Sequence, residues 1–375
     1  MAQALTEYRS QFPITRTCHY LNHAAVSPTS TGVRDAVATW MGDLVNHGMD
    51  HIADWIRRER EIRGLAAKLL GADLDEIAFV RSTSHGLGMF AEGMAWQPGD
   101  EVAVCTELEY PANVYPWMHL GDRGVVLRPI EARTGGVGRE AVARAIGPRT
   151  RVVSVSSVQF ATGVASELEA IGALCGERGV SFCVDGIQSV GAFPIDVRKA
   201  NIDFLSADSH KWQLGLPGIG IAYVRRELIP RLRPSVVGWK SVKHPLDFDH
   251  LRLELRDDAA RFEEGTESFA TIMGMGAALA LLDEVGVAAI ATHITAWLAE
   301  VEKVLAAAGL CPGPSAEVRR GILTFRPPTG TAEEFVARAR QAGLVLSPRR
   351  GQVRVSPHFY NGETELAALV DFVRA

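Results

Sequence analysis

The sequence predicts an α/β protein, with a mostly parallel, seven-stranded sheet in a three-layer large domain and a smaller α+β C-terminal domain. Three observations carry this expectation. Short β-rich runs recur between residues 75 and 225, at Glu76–Val80, Glu101–Cys105, Gly124–Arg128, Arg151–Ser156, Ser181–Asp185, Asp203–Ser206 and Gly220–Val224. Helical patterns such as Gly86–Met94 and Ser166–Arg178 separate them, and this alternation builds a parallel sheet covered by helices. Runs such as Val152–Val155 are apolar at every position, which suits strands buried on both faces.

The pattern changes after about Pro234. Residues 235–265 are irregular and rich in charge. A helical stretch from about Thr271 to Ala308 follows, with a break near Gly286. From Arg319 onward come a strand-like GILTFRP, a helix from Ala332 to Ala342, a strand-like VRVS and a final helix. The expected division is an N-terminal arm, 1–25, packing with the small domain; a large domain, 26–260; and a small domain, 261–375.

Hydrophobic residues make up 47% and charged residues 22%, an ordinary globular balance, and the net charge of −5 gives no reason to expect nucleic acid or an anionic membrane as partner. Met1 to Pro13 lacks an apolar signal core, and the Ala-rich stretch Met273–Ala307 is interrupted by Asp283, Glu284 and His293, so a cytoplasmic protein is expected. Cys18, Cys105, Cys175, Cys183 and Cys311 are scattered and form no C-x-x-C pair, which disfavours disulfides and a metal site.

Three segments carry candidate chemistry. In SFCVDGIQ, Ser181–Gln188, a buried strand ends in Asp185, facing the crevice where parallel sheets bind ligands. A buried carboxylate there needs a cationic partner such as a protonated ring nitrogen, although a strand-end Asp also serves as a helix cap. In DFLSADSHKWQLGLPGIG, Asp203–Gly220, a strand leads through Asp208, Ser209 and His210 to Lys211 and a Gly-rich loop. A lysine desolvated at that point becomes a nucleophilic amine able to form an imine; a surface lysine fits the same string. Ser209 and His210 are candidate phosphate donors. In FVRSTSHG, Phe79–Gly86, Thr83 and Ser84 stand at a helix start, which suits an anion site or plain N-capping.

Taken together, these residues resemble the class V aminotransferase family of fold-type-I pyridoxal-5′-phosphate (PLP) enzymes, in the cysteine desulfurase and isopenicillin N epimerase-like branch. The resemblance runs from YLNHAAVSP near residue 20 to VRVSPHFYN near residue 353. It is most specific in VDGIQSVGAFPIDV followed by DFLSADSHKWQLGLPGIGIAYV, with Asp185 and Lys211 26 residues apart. It implies PLP as cofactor, carried on Lys211 as a Schiff base, with Lys211 later moving the substrate Cα proton. Asp185 matches the partner of the pyridinium nitrogen, Gln188 the residue near the phenolic oxygen, and Thr83, Ser84 and His210 the phosphate ligands. Asp208 stands in the same cofactor-binding string.

In ELEYPANVYPW, Tyr110 matches the residue stacked on the cofactor ring. Gly265 and Thr266, in RFEEGTES, match a pair that reaches the PLP phosphate of the neighbouring subunit, which implies a homodimer. Arg354 matches the arginine that grips the substrate carboxylate, and Asn22 and His23 lie in a segment that approaches substrate in relatives.

The sequence also departs from that pattern. Desulfurases and selenocysteine lyases carry a cysteine on the loop before the substrate arginine, whereas Ser347–Arg354 reads SPRRGQVR. A persulfide-forming desulfurase is therefore disfavoured. Asp208 stands where desulfurases have serine, an unfavourable charge near a phosphate unless it points away or pairs with His210. Phe160, in VQFATG, lies near the position of a desulfurase asparagine. The expected function is Schiff-base exchange at Lys211 and Cα deprotonation of a small amino acid, of aminotransferase or epimerase type. A C–S lyase working by β-elimination is the alternative. A non-catalytic PLP-binding module is a reading of another class; the set Lys211, Asp185, His210 and Arg354 argues against it. A nucleotide-binding protein is disfavoured by the lack of a G-x-x-x-x-G-K-[ST] run.

Overall fold

The computed structural model describes residues 5–132, 135–315 and 317–374; the first four residues of the expected N-terminal arm lie outside them. The large sheet has seven strands in the spatial order Ile77–Val80, Gly220–Val224, Phe204–Asp208, Ser181–Asp185, Thr150–Ser156, Glu101–Val104 and Val126–Pro129. Gly220–Val224 pairs antiparallel with both neighbours, and every other pairing is parallel. Phe204–Asp208 and Gly220–Val224 are buried throughout, which explains runs that are apolar rather than alternating. The strand expected at Gly124–Arg128 starts two residues later, because Gly124 has φ +76 and ends the turn before it.

The helix expected from Gly86 begins at Thr83 and runs to Gly93, because Ser82 caps it by accepting from the His85 N–H at 3.1 Å. It lies close over the sheet: a Cβ added at Gly86 would fall on the Ser206 hydroxyl. The long helical stretch is two helices, Phe269–Val285 and Val287–Ala307, bent by 77° at Gly286, whose φ is +83. The first of these packs against the helices Thr31–His47 and Ile52–Leu70.

Strands Ser347–Arg349, Gln352–Val355 and Leu323–Phe325 form an antiparallel sheet in the C-terminal part. The N-terminal arm joins this part through backbone pairing of His19–Tyr20 with Leu344–Val345 and a bridge from Asn22 to Ser356. The arm also reaches the large domain, since the Ala24 carbonyl accepts from Gln188 Nε2 at 3.1 Å, and just beyond the arm the Ser27 N–H donates to the His210 carbonyl at 2.8 Å. Arm, sheet edge and C-terminal strands therefore meet around residues 208–212.

Candidate active site

Asp185 lies opposite Ser206 in the parallel pairing of Ser181–Asp185 with Phe204–Asp208, so both strands end at one edge of the sheet. The Asp185 side chain is buried. One oxygen accepts from the Ile187 N–H at 3.0 Å, and Oδ2 has no partner among the described residues. Burial pushes this carboxyl up to about 7, against the pull of the Ile187 N–H; the charge of Glu109 adds to the rise and that of Lys211 opposes it.

Lys211 follows three residues after the end of its strand. Burial lowers its amine to about 8, the Asp185 charge opposes that fall, and the Arg354 charge adds to it. A carboxylate and an amine are thus both desolvated, and each feels the other's charge. The lysine Nζ stands 5.6 Å from the centre of the Tyr110 ring. Tyr110 is 49% exposed and meets Phe160 edge-on at 5.2 Å, which makes it a wall of the site rather than a core residue. Leu214, buried just after the lysine, has φ +59 and donates to the Lys211 carbonyl at 3.0 Å. A branched residue held in that region costs on the order of 1 kcal/mol, and such strain gathers at functional sites.

The helix Thr83–Gly93 begins at this same edge, since Val80 lies opposite Gly220 and Gly220 opposite Asp208. Thr83 Oγ1 accepts from the Asp208 N–H at 2.9 Å, while Ser84 is exposed and lines a surface pocket of about 420 Å³ with Tyr110, Gly88 and Tyr115. Because Ser82 does the capping, neither Thr83 nor Ser84 is needed for it. The helix N-terminus therefore offers N–H groups to an anion. Asp208 lies beside His210, with Oδ1 2.9 Å from Nδ1. The hydroxyl of Ser209 is buried without a partner among the described residues. Gln188 donates to the Ala24 carbonyl at 3.1 Å and accepts from the Trp212 indole at 2.9 Å, which leaves one amide hydrogen for a ligand.

Arg354 is buried. It donates to the Phe160 carbonyl at 2.9 Å and to Asn22 Oδ1 at 3.3 Å, and its Nε has no partner among the described residues. Burial lowers the guanidinium to about 9, with the Arg349 charge acting in the same direction. Asn22 is thus placed at the arginine. His23 is not free in the same way: Nδ1 lies 2.8 Å from the Ser356 carbonyl and Nε2 2.6 Å from the Tyr360 hydroxyl. Burial lowers its pKa to about 4, so it is a neutral ring that ties the arm to the C-terminal strands.

Gly265 and Thr266 sit in the loop before Phe269–Val285, with Thr266 exposed. Among the described residues, no hydrogen bond or ion pair joins them to Lys211, Asp185 or His210. Their loop is anchored instead by Glu263, which accepts from the Phe79 N–H at 2.7 Å and pairs with Arg63 at 2.5 Å. Sequence reasoning missed Glu109, a buried acid that accepts from the Ser156 N–H at 2.7 Å, Asn113 Nδ2 at 3.0 Å and Gln159 Nε2 at 3.0 Å. It also missed Trp212 and His358, whose Nε2 lies 3.1 Å from the Trp212 carbonyl. Glu109 carries no sequence signal beyond its place before Tyr110, because two of its donors, Ser156 and Gln159, lie 47 and 50 residues away.

The sheet order, the edge occupied by Asp185 and Lys211, and the added C-terminal part define a fold-type-I PLP enzyme. The chain belongs to the class V aminotransferase family, whose profile matches residues 19–367. It is 28% identical to the uncharacterized aminotransferase YcbU of Bacillus subtilis, over 98% of this chain and 97% of that protein. A probable cysteine desulfurase of Methanothermobacter thermautotrophicus is 29% identical over 97% of this chain and 96% of its own length. Among solved structures, the cysteine desulfurase of Thermococcus onnurineus superposes with a TM-score of 0.89 at 23% identity, covering 98% of this chain and 96% of that one. The cystine C-S lyase C-DES gives 0.88 at 22%, covering 97% and 99%. The residues present fit PLP: Asp185 offers a buried acceptor without a donor, Lys211 a desolvated amine, and Tyr110 an aromatic face beside that amine.

Proposed function

We propose that this chain converts a small amino acid by removing its Cα proton, with transamination or epimerisation as the outcome. The observation that carries the reading is the buried Asp185 oxygen, without a partner among the described residues, together with the buried Lys211 amine, lowered to about 8 and close enough to feel the Asp185 charge. Bound PLP supplies an electron sink for the charge left on Cα. Asp185 would keep the cofactor's ring nitrogen protonated, Tyr110 would cover the ring face, and Thr83, Ser84, Ser209 and His210 would hold the phosphate. Gln188 would donate to the phenolic oxygen. Lys211 Nζ, once neutral, takes the Cα proton and returns it. Arg354 fixes the substrate carboxylate, so that Cα is presented to the lysine. In a homodimer, Gly265 and Thr266 would reach the phosphate in the partner subunit, which accounts for a loop anchored yet exposed.

The second reading is a C–S lyase, favoured by the relatives named cysteine desulfurase. It would proceed by direct elimination, since Ser347–Arg354 holds no thiol and Cys311 is exposed outside that loop. Incubating the holoenzyme with single amino acids and identifying the products by mass spectrometry separates these outcomes. A keto acid or an inverted isomer supports the first reading. Pyruvate and ammonia, with sulfide from cysteine or cysteine persulfide from cystine, support the second. For Arg354→Ala, we expect amino-acid affinity to fall by roughly tenfold to a hundredfold, the loss of one charged hydrogen-bonded contact, with PLP retained. Titrations of cofactor absorbance measure both; loss of PLP with unchanged affinity would contradict the role given to Arg354.

A further inference from the structure

The C-terminal hairpin places a second arginine beside Arg354. Ser347 lies opposite Arg354 and Arg349 opposite Gln352, so the turn consists of Arg350 and Gly351. Both turn residues have positive φ, +50 and +73, the geometry of a tight two-residue hairpin matched to strand twist. Side chains alternate along a strand and directly opposed residues share a face. Ser347, Arg349 and Arg354 therefore share one face of the hairpin, with the two arginines diagonal neighbours. That face borders the space beside Lys211: Arg354 donates to the Phe160 carbonyl at 2.9 Å, the Phe160 ring meets Tyr110 at 5.2 Å, and Lys211 Nζ stands 5.6 Å from the centre of the Tyr110 ring.

Among the described residues, Arg354 donates only to the neutral oxygens of Phe160 and Asn22, and Arg349 only to the Pro348 carbonyl at 2.7 Å. Among the described residues, no carboxylate lies within ion-pair distance of Arg349, Arg350 or Arg354. Two polar atoms on the face, Arg354 Nε and Ser347 Oγ, are buried and unpartnered. Two guanidiniums held together in a partly dry space repel one another, and a rigid hairpin prevents them from separating. A ligand carrying two negative groups offsets both charges; a neutral amino acid offsets one.

Resting on the amino-acid reading above, we infer that the site takes amino acids with an acidic side chain, the α-carboxylate on Arg354 and the second anionic group on Arg349. Arg349 is then the residue that sets substrate class. The isosteric pairs L-glutamate with L-glutamine and L-aspartate with L-asparagine isolate the second charge. Binding to the holoenzyme is read by cofactor absorbance and by calorimetry. At least one acid binds tenfold or more tightly than its amide, as one extra charged contact requires. In R349Q that ratio falls toward one, and in R349K, which keeps the charge but loses the fork, it stays between the two. Circular dichroism and cofactor content confirm that the variants fold. Amides that bind as tightly as the acids, or an R349Q ratio equal to wild type, overturn this inference and leave the amino-acid reading standing. If no amino acid changes the absorbance or releases heat, both fall.

Discussion

Lys211→Ala is expected to lower turnover by on the order of 10³-fold or more, because one side chain serves as both the covalent anchor of the cofactor and the base at Cα; general-base catalysis alone contributes about 10²–10⁴-fold. The fold should survive. Lys211 is the last residue before a buried loop, and its side chain makes no hydrogen bond among the described residues, so removing it breaks no network. The pH dependence follows from the lowered amine. The protonated amine cannot attack an aldehyde, so covalent capture of PLP by the apoprotein should quicken as pH rises toward about 8 and level off above it. Stopped-flow absorbance measures this, and a rate that still climbed steeply at pH 10 would mean an ordinary, solvated lysine.

Asp185→Asn separates the chemical and structural consequences of one oxygen. With cofactor bound, the ring nitrogen loses its anionic partner. Truncating a buried charge pair costs roughly 2–5 kcal/mol, so turnover should fall by about a hundredfold or more. Without cofactor the effect on stability has the opposite sign. Asp185 is raised from 3.8 to about 7 in the folded chain, so its contribution weakens as pH climbs from about 4 through 7, where folding must bury an ionised group. Asparagine keeps the acceptor for the Ile187 N–H and carries no charge. The variant apoprotein should therefore melt higher than wild type at pH 8 and equal it near pH 4. Calorimetric melting at the two pH values tests this. A lower melting temperature at pH 8 would show that the native carboxylate already has a stabilising partner, contrary to the unpartnered Oδ2.

The parts of the site that could be read in the sequence are those carried by local patterns. A fully apolar strand ending in Asp185, and a strand running into Ser209-His210-Lys211 and glycines, are each continuous in the chain. Their ends meet because parallel strands share an edge. The helix start at Thr83 was located less well, since the cap at Ser82 decided it and several hydroxyl residues competed for that place. What escaped depends on contacts between distant segments. His23 was read as approaching substrate, yet both its nitrogens are occupied by Ser356 and Tyr360, more than 330 residues away. Glu109 and Trp212 acquire their roles from the same kind of long-range packing. The SPRRG string was noticed for the thiol it lacks; that Arg349 shares a face with Arg354 became visible only from the hairpin register. Asp208, an unfavourable charge near a phosphate unless it points away or pairs with His210, lies 2.9 Å from the His210 ring nitrogen.

Borohydride reduction of the purified holoenzyme, followed by peptide mapping, tests the central claim most directly. Bleaching of the visible absorbance is expected, with the pyridoxyl group recovered on the peptide containing Lys211. Recovery on another lysine, or a protein that binds no PLP and yields no labelled peptide, would contradict it.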